Sequence, residues 1–595
     1  MVRWSLIVCA SLGLLLAGRL ASAQSTTEVL NQLPKSIWAV GIVNNIEATS
    51  ALTEKLGGQL RLPIFNPLGL MKIVTGIQGG MDDKGCAAVA WLPGVDGAGP
   101  PVPIFLIPVT DYDKFIDPLV TGEKGGQITN IAVSNRPFLA GHKGNFAVLS
   151  MPETDASLKS FLEAKESSVE MFAPLGGWLS DNEVVTIATP AGIRAATERM
   201  SVGLNQARDG LAGAGPAAQG AVIYFKMIDT LLTAVRAEVA LAAVGINLGD
   251  DGHLTISLRS TFLPSGTWAA DSQHPAQPTK PLLTGLPPGR FVLASGSVYL
   301  DKWTERKLNF ANEMLRASFQ SGPLKLTDDQ VKQLTDGTTA LARHSRQLGM
   351  WFGVASPDQG LFSKSVSIID ADSSTKYMDA VKSYMAAYEK LTDEVDLPTL
   401  PRYETQSIQI GNKTAVEMTI DISKMFEKLE AQGLPGAAEI VDGVLRTMFG
   451  PTGKLTAYAM PLDDHRVLTS YSRESLEAYI AAPPKSGSDL ADDELVKKTI
   501  ALLPPGSQSI ALLSLRGAID MINVAIRPIP AAQGFQLPKV ESSPPIGFGS
   551  HLSAQGYELR IVAPAEAMSG IGALIATLRE LGQQGGRPGA PKEVP

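Results

Sequence analysis

The chain has 595 residues, of which 44% are apolar and 18% charged, and a formal charge of −8. That length exceeds one ordinary hydrophobic core and that composition excludes a disordered chain, so two or more globular domains are expected. An acidic balance without a basic block excludes nucleic acid as the main partner.

Residues 1–23 have the form of a secretory signal: Arg3 near the start, an apolar run from Trp4 to Gly18, and the small-x-small site Ala21-Ser22-Ala23. The run is short for a membrane span, so cleavage before Gln24 is expected. A periplasmic or secreted location follows, with no transmembrane span in the mature chain; an uncleaved anchor is the alternative. Once the signal is removed one cysteine remains, Cys86, and no intrachain disulfide can form. Cys86-Ala87-Ala88-Val89-Ala90-Trp91 reads as a buried strand. No helix start or basic cluster flanks the thiol, so it reads as a packed core group rather than a nucleophile.

The mature chain opens on a Leu33-Pro34 turn and a strand over Ile37–Val43. Helical patterns follow near Ile46–Leu60 and Leu68–Ile77, then a hairpin from Cys86–Leu92 and Val102–Ile107. Thr110 with Asp113 has the spacing of a capping box and opens a short helix. A strand near Gln127–Val133, a hairpin turning at Gly141-His142-Lys143-Gly144, and a helix near Ala156–Ala164 come next. Val184–Ala188 is a strand, and Pro190 fits the first turn of a helix. Ala221–Met227 could be a buried strand, but Ala221, Phe225, Ile228, Leu232, Val235 and Val239 recur at helical spacing. Lys226, Asp229, Arg236 and Glu238 interrupt this stretch too often for a membrane span. A hairpin around Gly249-Asp250-Asp251-Gly252 leads into Leu254–Arg259, which alternates strictly.

Pro264, Pro275, Pro278 and Pro281, with Ser, Gly and Gln between them, give residues 264–285 a linker composition. Leu286-Pro287 then repeats the opening. A helix carrying Leu308, Ala311, Leu315 and Phe319, a second over Thr327–Arg343, and a hairpin over Met350–Ile369 follow. The next helix has a Tyr377, Val381, Tyr384, Tyr388 and Leu391 stripe, which is core patterning. Hairpins over Tyr403–Thr419 and Lys454–Ser470 precede a third Leu-Pro opening at Leu503. A strand, a helix to about Val524, a final hairpin and a helix from about Pro564 to Leu581 close the chain.

The expected fold is therefore α+β, with two tandem diverged modules of antiparallel hairpin sheets covered by helices. Module one spans 24–263 and module two 286–583, joined by the Pro-rich linker 264–285 and followed by a disordered tail at 584–595. The Leu-Pro-strand openings, the signal, and segments such as Pro67-Leu68-Gly69-Leu70 and Ala173-Pro174-Leu175-Gly176-Gly177-Trp178-Leu179 resemble exported bacterial proteins, of the kind seen in planctomycetes, that carry a repeated α+β domain. That resemblance covers most of the chain and implies no established activity, so it assigns no site residue.

Catalytic motifs are weak. Ser373-Ser374-Thr375-Lys376 and Ser180-Asp181-Asn182 match two motifs of penicillin-recognising enzymes, but in reversed order and without the Lys-Thr-Gly partner. Helix capping accounts for Asp372 and Ser373. His142, His253, His274, His344, His465 and His551 are far apart in sequence and form no metal-binding spacing. Asp370-Ala371-Asp372 starts like a calcium loop, but Thr375 and Val381 stand where Gly and Glu are required. Gly450-Pro451-Thr452-Gly453-Lys454 fails as a phosphate loop, because Met448 replaces the first glycine. No catalytic, cofactor or metal residue is assigned. The expectation is an exported envelope protein that acts as a non-enzymatic binding or structural module toward an unknown protein or other envelope component. An exported hydrolase with a dispersed active site is the alternative. A pocket with convergent ionisable groups would favour the hydrolase, and an apolar groove would favour binding. Any partner is expected on sheet faces between the modules.

Overall fold

The computed structural model describes residues 23–585, apart from residues 65, 78, 95–98, 125, 212–215, 300–301, 322–325, 357–358, 395–401, 422–436, 486 and 528–534. The expected signal therefore lies outside the described residues but for Ala23, which begins a helix, Ala23–Gln32. Of the expected tail, residues 584 and 585 end the last helix, Ala565–Gly585, and the rest lies outside.

The fold is α+β. Its strands, in chain order, are β1 (Ala39–Val43), β2 (Ala87–Leu92), β3 (Val102–Pro108), β4 (Ile128–Val133), β5 (Arg136–Lys143), β6 (Phe146–Ser150), β7 (Val184–Ala188), β8 (Val239–Leu248) and β9 (Leu254–Phe262). They continue with β10 (Phe291–Val298), β11 (Ser345–Gly353), β12 (Ser365–Ala371), β13 (Arg402–Ile410), β14 (Lys413–Asp421), β15 (Leu455–Pro461), β16 (Arg466–Ser470), β17 (Ser509–Leu513), β18 (Ile546–Ser553) and β19 (Gly556–Ala563). The stretch with two sequence readings, Ala221–Met227, is helical, within Pro216–Glu238.

The chain divides into two compact units. The first comprises residues up to Leu204, Asp229–Ala270 and Ala554–Ala576; the second comprises Asn205–Ile228, Asp271–Ser553 and the chain from Thr577. Ala554–Ala576, which the sequence puts at the end of module two, thus groups with the first unit. In the first unit antiparallel ladders run β4-β5-β6-β3-β2-β1-β7-β8-β9-β19. In the second, antiparallel ladders run β13-β14-β15-β16-β12-β11-β10-β17-β18.

Alternation gives each strand of the first unit two faces. One face carries Val40, Ile42, Ala90, Ile104, Leu106 and Val148, packed under Leu33, Leu158, Phe161 and Phe172. The first Leu-Pro turn thus supplies a core side chain: Leu33 has no exposed surface. Thr189 ties the next strand back, donating from Oγ1 to the Ile37 carbonyl at 2.7 Å. Its hydroxyl also accepts from Gly192 N–H at 3.2 Å, at the start of helix Pro190–Leu211.

The Pro-rich segment 264–285 carries more structure than its composition suggests. Thr267–Asp271 is a helical turn held by Glu238, whose carboxylate accepts from the Thr267 hydroxyl at 2.6 Å and from Trp268 N–H at 2.9 Å. Ala269, Ser272, Leu282 and Leu283 are buried. The prolines bar this segment from a ladder, but its few apolar side chains are enough to anchor it.

Candidate functional site

The opposite face of the first unit's sheet is built differently. Residues paired across a ladder share a face, so the register fixes its lining. Gly41 stands between Val89 and Thr186, Val89 opposes Phe105, and Val43 opposes Ala87. Central strands β1 and β2 therefore present two of the smallest residues, Gly41 and Ala87, beside the bulky Trp91, Phe105 and Ile107. A Cβ added at Gly41 would meet the Trp91 ring at 3.5 Å, an ordinary contact. This glycine leaves room above the sheet; it is not needed for backbone conformation.

Helix Pro67–Thr75 spans that room. Asn66 caps it, accepting from Gly69 N–H at 2.8 Å and from the Ser50 hydroxyl at 2.9 Å. Pro67 fits its first turn, and Gly76 ends it at a φ of 77°. Lys72 pairs with Asp83 at 2.5 Å, and the Ser134 hydroxyl donates to the Val74 carbonyl at 2.7 Å. These polar tethers hold a helix that has no fully buried residue. Met71 and Thr75 face the sheet, whereas Leu70, Ile73 and Val74 are 54%, 80% and 56% exposed.

Between helix and sheet lies a cavity of about 280 Å³. Met71, Met81, Val89, Phe105, Phe138 and Leu149 supply much of its wall, and the only polar side chains lining it are Thr75 and Thr186. No ionisable group is among its lining residues. Thr186 is itself exposed, so the cavity opens there. Beyond Thr186 the cross-strand row continues through Val244, Leu258 and Leu559. Val244 and Leu258 are 41% and 39% exposed, an apolar strip continuous with the cavity mouth. Ile246, Ile256 and Ile561 form a second, half-buried row alongside it.

The second unit has a cleft of about 480 Å³, walled by Trp351, Tyr479 and prolines 287, 288, 483 and 484, with Lys364, Glu474 and Lys485 at its rim. Its hydroxyls are engaged. Tyr479 donates to the Gly285 carbonyl at 2.9 Å, Ser475 to the Ser363 carbonyl at 2.7 Å, and Ser488 to the Lys485 carbonyl at 3.1 Å. Burial pushes the Tyr479 phenol up, away from proton-transfer duty near neutrality. Glu474 accepts from Gln359 Nε2 at 3.1 Å. No histidine or cysteine lines this cleft, and the nucleophile-base-orienter arrangement of a hydrolase is missing from its lining.

The sequence motifs fall into structural roles. Ser373 Oγ accepts from Lys376 N–H at 3.4 Å, at the start of helix Ser374–Glu394, while Asp372 accepts from Ser373 N–H at 2.8 Å. Asn182 is buried: its Nδ2 donates to the Trp178 carbonyl at 2.7 Å, and its Oδ1 accepts from Ser257 at 3.0 Å. The Ser373–Lys376 motif and the Ser180–Asn182 motif lie in different units. His142 stacks on Tyr112, with ring centroids 4.6 Å apart. His253 pairs with Asp251 at 2.5 Å, and His344 with Asp372 at 3.1 Å. His465 and His551 face backbone carbonyls of Asp372 and Gly506, each at 3.1 Å. Among the described residues, no three His, Cys, Asp or Glu side chains are grouped to hold a metal ion. Cys86 is buried, and burial, then the charge of Glu28, pushes its thiol up.

Sequence reading does not find the cavity. Its signals are present but dispersed: a helix rich in Leu, Met, Ile and Val without a polar face, and small residues on two central strands. Among the described residues no helix is long and apolar enough to cross a membrane. No protein-family profile, curated protein or solved structure matches the chain.

Proposed function

We propose that this chain is an exported, non-enzymatic binding protein built from two diverged copies of one α+β module, and that its first unit holds an apolar small molecule under helix Pro67–Thr75. The observation that carries the binding role is the cavity itself, roomy, lined without ionisable groups and open at Thr186. Apolar wall left facing such a space gives up packing that close-fitting side chains would make. A larger side chain at Gly41 or Ala87 would recover part of it, so the residues present favour a ligand in the gap over close packing. The exported location rests on Arg3, the apolar run and Ala21-Ser22-Ala23. The ligand or partner belongs to the envelope.

Three matched details support the duplication. The strand order β6-β3-β2-β1-β7-β8 has the same form as β16-β12-β11-β10-β17-β18. After β7 and after β17, the third helix residue is a glycine whose added Cβ would strike a carbonyl oxygen of the opening strand region: Gly192 against Trp38 at 1.8 Å, and Gly517 against Phe291 at 1.9 Å. Just before those strands, Glu183 accepts from Leu248 N–H at 2.8 Å and Gln508 from Leu552 N–H at 2.6 Å. Chance similarity of α+β architecture does not call for the same glycine and the same side-chain-to-strand bond at corresponding places.

The test is titration of the mature full-length protein with 1-aminoanthracene, an uncharged apolar fluorophore. Saturable binding is expected, weakened at least about tenfold by Gly41→Val, which fills the floor of the cavity. Binding unaffected by Gly41→Val in a protein of unchanged melting temperature would contradict the reading.

A further inference from the structure

We infer that the ligand is a single unbranched alkyl chain, with one part in the cavity and the remainder laid across β7, β8 and β9 on the exposed apolar strip. This rests on the cavity being the ligand site. The cavity alone holds roughly nine groups the size of a water molecule or methylene, taking about 30 Å³ for each. It does not end in a wall. Thr186 lines it and is exposed, and the next partners along the same row are Val244 and Leu258. With about 4.8 Å between strands, Gly41 to Leu258 spans about 14 Å, and Leu559 adds another step.

The sheet twists by about 20–25° per strand, so this path turns as it goes. A flexible chain can follow a turning row from under a helix onto an open face, and a rigid ring system of the same length cannot. The partly exposed Ile246, Ile256 and Ile561 row flanks the strip on one side and extends its apolar surface. With no ionisable group lining the cavity, a charged end would stay outside, leaving the apolar end to enter beneath Met71 and Thr75.

The experiment is competition against 1-aminoanthracene on the mature full-length protein, with octanoate, dodecanoate and hexadecanoate, and with a lysophospholipid carrying the hexadecanoyl tail. Affinity is expected to rise with chain length beyond octanoate, by up to about fourfold per added methylene. Val244→Thr with Leu258→Gln should flatten that rise, in a variant whose melting temperature and circular dichroism match the wild type. Whichever of hexadecanoate and the lysophospholipid binds more tightly identifies the source of the chain. Octanoate and hexadecanoate binding equally well to the wild type would overturn the alkyl-chain inference and leave the cavity reading standing. Wild-type length dependence that survives in the double variant would also overturn it. Failure of the fluorophore and of every chain to bind would overturn both.

Discussion

Gly192 and Gly517 sit at very close approaches to the opening strand of each unit. A methyl at Gly192 would lie 1.8 Å from the Trp38 oxygen, and one at Gly517 would lie 1.9 Å from the Phe291 oxygen. Backbone on both sides must then move, since no flexible side chain is there to yield. Gly192→Ala and Gly517→Ala are each expected to cost roughly 1–3 kcal/mol in thermal or urea unfolding. Gly203→Ala, which meets nothing, should be neutral or mildly stabilising. Equal stability of Gly192→Ala and wild type would show that the close approach is not real. Cys86 makes a second residue-scale prediction. Its buried thiol stays protonated at neutral pH, so iodoacetamide should label it only after unfolding, as read by intact mass.

Asp372 supplies the pH dependence. Burial would raise its carboxyl, but hydrogen bonds from His344 and Ser373 N–H outweigh that and hold it below the usual carboxylate range. A depressed folded-state pKa contributes stability that is fully present above the unfolded value near 4 and is lost as pH falls through the folded value. Asp463, held down by Arg466 against its own burial, acts in the same direction. The second unit should therefore lose stability on acidification below about pH 4. Asp372→Asn is expected to cost at most about 1 kcal/mol at pH 7 and to shrink the acid loss measured by urea unfolding across pH 2–7.

At the scale of elements, helix Pro67–Thr75 behaves as a cover held from its edges. It has no buried residue of its own, and its position depends on Asn66, Lys72–Asp83 and Ser134. A partly exposed ion pair is worth little to global stability. Lys72→Ala with Ser134→Ala is therefore expected to change the melting temperature by no more than a few degrees while speeding apolar-probe entry in stopped-flow fluorescence. Unchanged entry rates would mean that ligand reaches the cavity by another route. Much of this element level is legible in sequence. The helical pattern near Leu68–Ile77, the hairpin over Cys86–Ile107, the turn at Gly249–Gly252 leading into Leu254–Arg259, and the Ser373 cap follow from local turn and periodicity rules. The cavity does not follow from them. It depends on Gly41 and Ala87 sharing a face with Trp91 and Phe105, and only the register between strands distant in sequence decides that.

At the scale of the whole molecule, local patterning also does not place β7 beside β1, or β19 beside β9, because both pairings join residues far apart in the chain. The composition of 264–285 points to an exposed tether, yet Leu282 and Leu283 are buried and Lys280 pairs with Asp370 at 2.8 Å. Brief digestion with a protease of broad specificity is therefore expected to spare this segment at first, with the cut sites read by N-terminal sequencing. A first cut within 264–285 would mean that its anchors are weak in solution. The two units share an order of strands; among the described residues, the open apolar face with its cover helix is in the first. The most direct measurement is a crystal structure of the mature chain grown with 12-bromododecanoate and read by the anomalous signal of bromine. The expected result is a bromine peak between helix Pro67–Thr75 and β1–β2, with the chain running out over Val244 and Leu258. A peak confined to the second unit, or a cavity closed by its own side chains with no ligand density, would contradict it.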